Sequence, residues 1–346
     1  MIQVKNISKE FVSAKKYPGL KGAIKGLFSN EKVSKQAVKD ISFDIADGEI
    51  VGYIGSNGAG KSTTIKMMTG ILAPTSGEVI VNGINPRKER SKNAKKIGVV
   101  FGQRTQLWWD LPVQETFTIL KEIYEVSDED FVERIDYLDH VLGINEFMDR
   151  PVRTLSLGQR MRADIAAALI HNPPVLFLDE PTIGLDLVVK DNIRQAIKDI
   201  NKKYNTTVIL TTHDIEDIEE LCERIIIIDD GSKIYDGSLE NLKKSYGTTA
   251  SVIFEPKKMD DMDNLSISDM LGLADDECSM ELDYENNLLT VVYDKRKVQA
   301  PQIVNIMMEA TTVLDFKTED TKLAEIVKAI YLDELDNISS GGTFAC

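Results

Sequence analysis

The hydrophobic pattern changes period several times along the chain. "MIQVKNIS" at 1–8 and "KDISFDIADGEIVGYIG" at 39–55 alternate apolar and polar positions, the second stretch turning at Asp47-Gly48, and both predict strands. "GEVIVNGINP" continues in the same manner, and "KIGVVFGQ" at 96–103 is a denser apolar strand. Residues 113–145 move to helical spacing through Phe117, Leu120, Ile123 and Tyr124, then Phe131, Ile135, Leu138 and Val141. From 154 the order is helix, strand "PVLFLDE", helix 187–203, strand "TTVILTTH", helix 214–222, strand "RIIIID". Such alternation predicts a parallel sheet with crossover helices. A hairpin, "IIIIDDGSKIYDG", and a short helix to about Tyr246 close a first domain at 1–246. "SVIFEP", "LLTVVYD", "QIVNIMMEA" and "TKLAEIVKAIY" predict a small α+β domain at 247–335, and the polar, Gly-rich end predicts a flexible tail at 336–346.

A length of 346 residues, 42% of them hydrophobic and 28% charged, fits two soluble globular domains. No run approaches the ~18 apolar residues of a membrane span, and the N-terminus lacks the apolar core of a signal peptide, so a cytoplasmic location is expected. Cys222, Cys278 and Cys346 show no paired or metal spacing, and His140, His171 and His213 are scattered. The net charge of −15 argues against a nucleic-acid partner. The charge is uneven: residues 15–39 carry seven lysines against Glu31, and Met259 to Thr290 carry ten acids and no base. Within the basic insertion at 13–37, Leu20, Ala23, Ile24, Leu27 and Phe28 recur at helical spacing between Lys21 and Lys25. A short basic amphipathic helix suits an anionic membrane surface or a partner's cytosolic face, and a surface helix folded onto its own sheet is the alternative.

Three stretches carry chemistry. "GSNGAGKS" from Gly55 to Ser62 follows an apolar strand and opens a helix. Gly55, Gly58 and Gly60 let the backbone curl so that N–H groups of the loop, with Ser56, Asn57, Ala59 and Thr63 completing the cradle, face phosphate oxygens. Lys61 is placed for the β and γ phosphates and Ser62 for Mg²⁺. "VLFLDE" ends a buried strand on Asp179 and Glu180, where open α/β sheets bind ligands. Asp179 is expected to hold magnesium through water and Glu180 to polarise the attacking water. "LSLGQ" at 155–159 offers the Ser156 hydroxyl and a helix N-terminus with a glycine at 158 allowing close approach to a phosphate.

With these motifs in this order, the sequence resembles the nucleotide-binding subunits of ABC transporters over about residues 1–246. The resemblance makes Gly55–Ser62 the Walker A loop, Gln103 the Q-loop residue, Leu155–Gln159 the signature and Val175–Glu180 the Walker B strand. Gly184-Leu185-Asp186 stands in the D-loop, and His213 in "ILTTHD" is the switch histidine. It implies a P-loop NTPase fold of the ABC-ATPase type, with a parallel-sheet core, an antiparallel β part and a helical subdomain at about 104–170. It further implies ATP and Mg²⁺ as cofactors, with Gln103 touching magnesium and water, His213 the γ phosphate, and Phe11 stacking on adenine. Ser156, Gly158 and Gln159 of one subunit are expected to cover the nucleotide held by a partner's Walker A loop, with Asp186 beside it. Leu157 departs from the small residue usual there, and its side chain is expected to point towards the helical subdomain. The phrases "FGQRTQLWWDLPVQETF", "LSLGQRMRADIAAAL" and "FLDEPTIGLD" resemble most the viologen-exporter and sodium-exporter-like ATPases of the ABC-2 class.

The expected function is therefore an ATPase subunit, a homodimer or paired cassette, that drives a separate ABC-2 permease, meets the membrane surface indirectly and exports a substrate. An importer subunit, a mechanical or regulatory ABC protein and an ATP sensor without turnover are the rivals. Glu180 and His213 weigh against the sensor, and a single Walker A without long coiled coils weighs against the mechanical class.

Overall fold

The computed structural model describes residues 1–15, 31–102, 104–259, 262, 265–273 and 277–340, with side chains through Tyr331. Gln103, the amphipathic part of the basic insertion and residues 341–346 lie outside this range. The chain divides into two compact units, Met1–Ser238 and Leu239–Cys346.

In the first unit, β1 (Ile2–Ala14), β2 (Lys32–Ile45) and β4 (Ser76–Val81) form an antiparallel sheet in the order β2-β1-β4. Strand β2 buries Val38, Ile41, Phe43 and Ile45 and turns intervening positions outward, the alternation of a sheet with one covered face. The basic insertion therefore begins and ends as paired strand, since Ala14 sits opposite Lys32.

The larger sheet contains β3 (Ile50–Gly55), β5 (Ile97–Phe101), β6 (Val175–Asp179), β7 (Thr207–Thr211), β8 (Arg224–Asp229) and β9 (Ser232–Ser238). Its order is β5-β6-β7-β3-β8-β9, parallel except for the β8–β9 hairpin. Val175 to Leu178 and Ile225 to Ile228 are buried without a break, as strands covered on both faces must be. Phe43 and Tyr53 pack with ring centroids 5.7 Å apart within one core cluster that includes residues of both sheets. The order has one consequence for chemistry. It sets the C-terminal ends of β6, β7 and β3 side by side, so Asp179, Thr211 and Gly55 end on the same edge.

The crossover helices are α1 (Lys61–Met68), α2 (Arg90–Ala94), α3 (Val113–Ile123), α4 (Asp128–Leu142), α5 (Leu157–Leu169), α6 (Leu187–Tyr204) and α7 (Ile215–Leu221). The periodic stretch at 113–145 is two helices rather than one. Glu125 turns left-handed at φ 58°, and the Ser127 hydroxyl accepts the Asp130 N–H to start α4. Among the described residues no helix is long and apolar enough to cross a membrane.

The second unit begins with α8 (Leu239–Tyr246), whose Leu242 is fully buried. The contacts thus divide the chain ahead of this helix rather than behind it, where the composition shift at "YGTTA" pointed. Strands β10 (Thr249–Pro256), β11 (Cys278–Asp283), β12 (Leu288–Asp294) and β13 (Val313–Asp320) form an antiparallel sheet in the order β11-β12-β10-β13. With α9 (Ile267–Leu271), α10 (Ala300–Ala310) and α11 (Leu323–Ser340) they make an α+β unit around Val252, Phe254, Leu289, Val291, Ile303 and Met307. The two edge strands, β11 and β13, carry acids at mostly exposed positions and escaped the hydrophobic pattern. The final helix reaches Ser340, so the first part of the expected tail is helical.

Candidate nucleotide site

The phosphate loop runs from Gly55 at the end of β3 into α1. Gly58 and Gly60 adopt φ 89° and 107°, and a Cβ on Gly60 would lie 2.5 Å from the Ala37 carbonyl oxygen, so only glycine fits there. The loop is pinned from behind: Ser56 Oγ donates to Asp229 Oδ1 at 2.5 Å, and the Ala59 carbonyl accepts the Gly231 N–H at 3.0 Å. Lys61, 8% exposed, arches over the loop, its Nζ donating to the carbonyls of Gly55 (2.7 Å) and Ser56 (3.3 Å). Burial holds its ammonium below the usual lysine range, against the pull of Glu180 and Asp179.

Asp179 accepts from Thr211 Oγ1 at 2.5 Å and from Ser62 Oγ at 3.4 Å. This hydroxyl and carboxylate are hard oxygen donors of the kind Mg²⁺ takes, so Ser62, with Asp179 through water, would hold the ion. Among the described residues no group of three His, Cys, Asp or Glu side chains forms a metal cage, and phosphate oxygens and water would have to complete the shell. Glu180 is held at φ 58°, a left-handed conformation that costs a non-glycine residue ~1 kcal/mol or more. Its N–H donates to Thr211 O at 2.9 Å, and its carboxylate accepts the His213 N–H at 3.2 Å. His213 Nε2 lies 3.4 Å from Glu180 Oε1 and 3.5 Å from Lys61 Nζ, between an acceptor and a donor. Burial raises the Glu180 carboxyl above the ordinary range, with His213 and Lys61 opposing.

A cluster that sequence reading missed supports this triad. Asp217, fully buried, accepts from Thr182 Oγ1, from Thr212 Oγ1 at 3.0 Å and from Arg194 Nε at 2.7 Å. It thereby ties the residues just after Glu180 to the one just before His213. The threonines stood within the motifs "FLDEPT" and "ILTTHD", but their common acceptor comes from α7, which only the fold brings near.

These groups line one open cleft of about 820 Å³. Ser56, Asn57, Gly58, Gly60, Lys61, Ser62, Thr63, Asp179, Glu180 and His213 are in it, and Phe11, 44% exposed, forms part of its wall. Gly55 and Ala59 stand behind it, one as an acceptor for Lys61 and the other buried. Lys35, Lys66, Ile71 and Arg104 line it too and were not anticipated. Lys35 is the cross-strand partner of Phe11, a relation that β pairing reveals and linear spacing does not.

Ser156, Gly158, Gln159 and Asp186 do not line this cleft. Ser156 and Gln159 close a capping box at the start of α5, with Gln159 N–H on Ser156 Oγ at 3.2 Å and Ser156 N–H on Gln159 Oε1 at 3.1 Å. Asp186 caps α6 by accepting the Val189 N–H at 3.0 Å. Gly158 is buried, and a Cβ there would come within 2.9 Å of Val189 Cγ1, so packing inside the chain already demands glycine. Leu157 is 37% exposed and lies against Gly184 as well as beside Trp109 and Arg160 of the helical subdomain.

Comparison with known proteins places this geometry. Residues 38–183 match the ABC transporter family. The chain is 35% identical over 218 residues to the ABC transporter ATP-binding protein NatA of Bacillus subtilis (strain 168), covering 63% of this chain and 88% of that one. It is 37% identical over 210 residues to the methionine import ATP-binding protein MetN of Geobacillus kaustophilus (strain HTA426), covering 60% and 61%. A solved dimeric ATP-binding cassette in a post-hydrolysis state, bound to ADP and Pi, is similar with a TM-score of 0.57 and 29% identity, covering 69% of this chain and 99% of that chain.

Two outcomes follow from the geometry. Lys61→Ala should weaken Mg-ATP binding by roughly ten- to a hundredfold in a calorimetric titration, the loss of a hydrogen-bonded charge on phosphate. An unchanged affinity would contradict the phosphate-loop assignment. Arg194→Met should lower the unfolding free energy by about 3–5 kcal/mol in urea, because Asp217 is left buried without its cation.

Proposed function

The chain belongs to the ABC transporter ATP-binding proteins, which hydrolyse ATP to drive transport, and we propose that it works as a homodimer, or one of two paired cassettes, around two Mg-ATP. In this reading it drives an ABC-2 type permease in the direction of export from the cytoplasmic side. One observation carries the dimer. The cleft holds Lys61, Asp179, Glu180 and His213, whereas the start of α5, with Ser156 and Gly158, does not line it. A nucleotide in that cleft gains a signature only from a second copy, and the similarity to a dimeric cassette supports this arrangement.

Each residue then has a task. Phe11 stacks on adenine, and the loop from Gly55 to Thr63 holds the phosphates with Lys61. Ser62 and Gln103, with Asp179 through water, would hold the magnesium, which would supply positive charge to the phosphates. Glu180 accepts a hydrogen bond from the water that attacks the γ phosphorus in line, and ADP leaves with the bridging oxygen. The burial that raises the Glu180 carboxyl makes it the stronger base. His213, whose main chain already holds Glu180, orients the γ phosphate. Ser156, Gly158, Gln159 and Asp186 serve the nucleotide of the partner copy.

The ABC-2 assignment rests on the phrases around Trp108, Leu157 and Glu180. Trp108 and Trp109 are 41% and 49% exposed a few residues after Arg104, where aromatic anchors suit a membrane partner. An importer is the second reading, favoured by the likeness to a methionine import protein, since hydrolysis itself has no direction. The unit from Leu239 onward is assigned to regulation or subunit contacts, because its acidic stretch from Met259 to Thr290 suits neither an anionic membrane nor nucleic acid. The basic insertion is assigned to the membrane surface or the permease.

Glu180→Gln should slow hydrolysis by a factor of 10² or more while keeping Mg-ATP affinity, and should elute as an ATP-dependent dimer on a sizing column. Turnover near wild type, with no such dimer, removes Glu180 from this role. Coexpressed with an ABC-2 permease, the chain should co-purify from membranes, and Trp108→Ser with Trp109→Ser should weaken that association without changing ATP affinity. Equal recovery of both forms would sink the interface.

A further inference from the structure

Between the Walker B strand and the signature helix the chain makes one short, doubly anchored crossing. At its first end the Gly102 N–H donates to Asp179 O at 2.7 Å, and a Cβ on Gly102 would lie 2.2 Å from Glu180 O, so the loop leaves the sheet hard against the acidic pair. The Arg104 N–H turns back to Phe101 O at 2.9 Å, and the Arg104 side chain lines the nucleotide cleft. At the second end Thr105 Oγ1 donates to Asp164 Oδ1 at 2.9 Å and the Gln106 N–H donates to the same oxygen at 3.0 Å. The Gln106 amide nitrogen adds a third bond, to the main-chain oxygen of Asp164, at 2.9 Å. Asp164 is 5% exposed and sits within α5, the helix that Ser156 caps.

The Asp164 carboxylate is the common acceptor of Thr105 and Gln106. Burial raises it to about 6, and the hydrogen bonds from Gln106 and Thr105 and the charge of Arg160 only partly offset that. An acid raised in the folded state favours folding when protonated, and this contribution is lost as pH rises through about 6.

We propose that Asp164 is a positioning residue for ATP hydrolysis, tying the residues that leave β5 beside the acidic pair to the signature helix, so that displacement at the cleft is carried to Ser156. The proposal rests on the reading that Ser156 serves the partner copy's nucleotide. Thr105 and Gln106, joined to Asp164 of α5 by three hydrogen bonds, move with that helix, and α5 then presents its N-terminus in a geometry set by the occupied cleft.

The full-length chain tests this, with Glu180→Gln as the background and ATP-driven dimerisation on a sizing column as the readout. Asp164→Ala should raise the ATP concentration needed for dimerisation about tenfold or more, since two bonds to a charged acceptor are lost. Asp164→Asn keeps an oxygen that accepts from both Thr105 and Gln106, and should dimerise within about threefold of the background. Thr105→Val keeps shape but removes one donor, should fall between the two, and serves if Asp164→Ala does not fold. ADP affinity, a property of the single cleft, should stay within about twofold in all three by calorimetry. In the otherwise wild-type chain Asp164→Ala should raise the KM for ATP by a similar factor, while ADP affinity stays unchanged. Dimerisation of Asp164→Ala and Thr105→Val at the background's ATP concentration overturns the tether, as does an Asn variant as impaired as the Ala variant. If Glu180→Gln alone never dimerises with ATP, the paired-cassette reading fails and the tether fails with it.

Discussion

The attraction between the Lys61 ammonium and the carboxylates of Asp179 and Glu180 is the interaction around which the nucleotide site is arranged. Burial lowers the Lys61 ammonium and raises the Glu180 carboxyl, and the charge of each opposes the shift of the other. They come from three places in the chain, the start of α1 and the end and exit of β6. The strand order puts β7 between β6 and β3, and the charged groups meet over its end. Thr211 binds Asp179 through its hydroxyl and Glu180 through its carbonyl. Buried apolar strands fix where these ends lie, so the core's packing and the site's electrostatics are one constraint seen from two sides.

That constraint also explains why the backbone is least relaxed at the site. Glu180 is left-handed, Gly58 and Gly60 are left-handed, and Gly102 has no room for a side chain. Such conformations persist where surrounding bonds over-determine them. Here the Thr211 carbonyl, the His213 N–H and the Asp217 cluster hold the exit from β6 on every side. The strain places the Glu180 carboxylate beside Nε2 of His213 instead of letting it turn to solvent. In the proposed reading, the placement of Glu180 against His213 is therefore set within the chain before ATP arrives, and the partner's signature is what remains to be added.

What the sequence revealed divides along physical lines. Contiguous motifs were legible because their chemistry is local: a loop of glycines before Lys61, two acids at the end of an apolar strand, a histidine ending the next. The parallel core was legible because burial on both faces writes continuous apolar runs. The support was not legible. Asp217 meets Thr182 and Thr212 through a crossover, Lys35 meets Phe11 through an antiparallel register, and Asp164 meets Thr105 through helix packing. The edge strand β13 was missed because almost all of it is exposed, and β11 because its inward positions, Cys278, Met280 and Leu282, are separated by exposed polar residues within a strongly acidic stretch. The division after Ser238 was missed because the short helix from Leu239 is bound by Leu242, a single buried side chain that composition cannot weigh.

The signature shows how packing and chemistry can select the same letter for different reasons. Position 158 was read as a glycine kept small for a phosphate, yet Val189 of the same chain already forbids a Cβ there. Position 157 has the opposite environment: a leucine is accommodated with part of its surface in water, against Gly184 and next to Trp109. Ser156 has its hydroxyl engaged by the Gln159 N–H, which fixes the hydroxyl oxygen at the helix start. The first turn of α5 is therefore shaped before any nucleotide reaches it. Its departure from the usual small residue falls at the one of the two positions where the fold leaves space, so the sequence can vary there without moving the serine or the close helix–helix contact behind it.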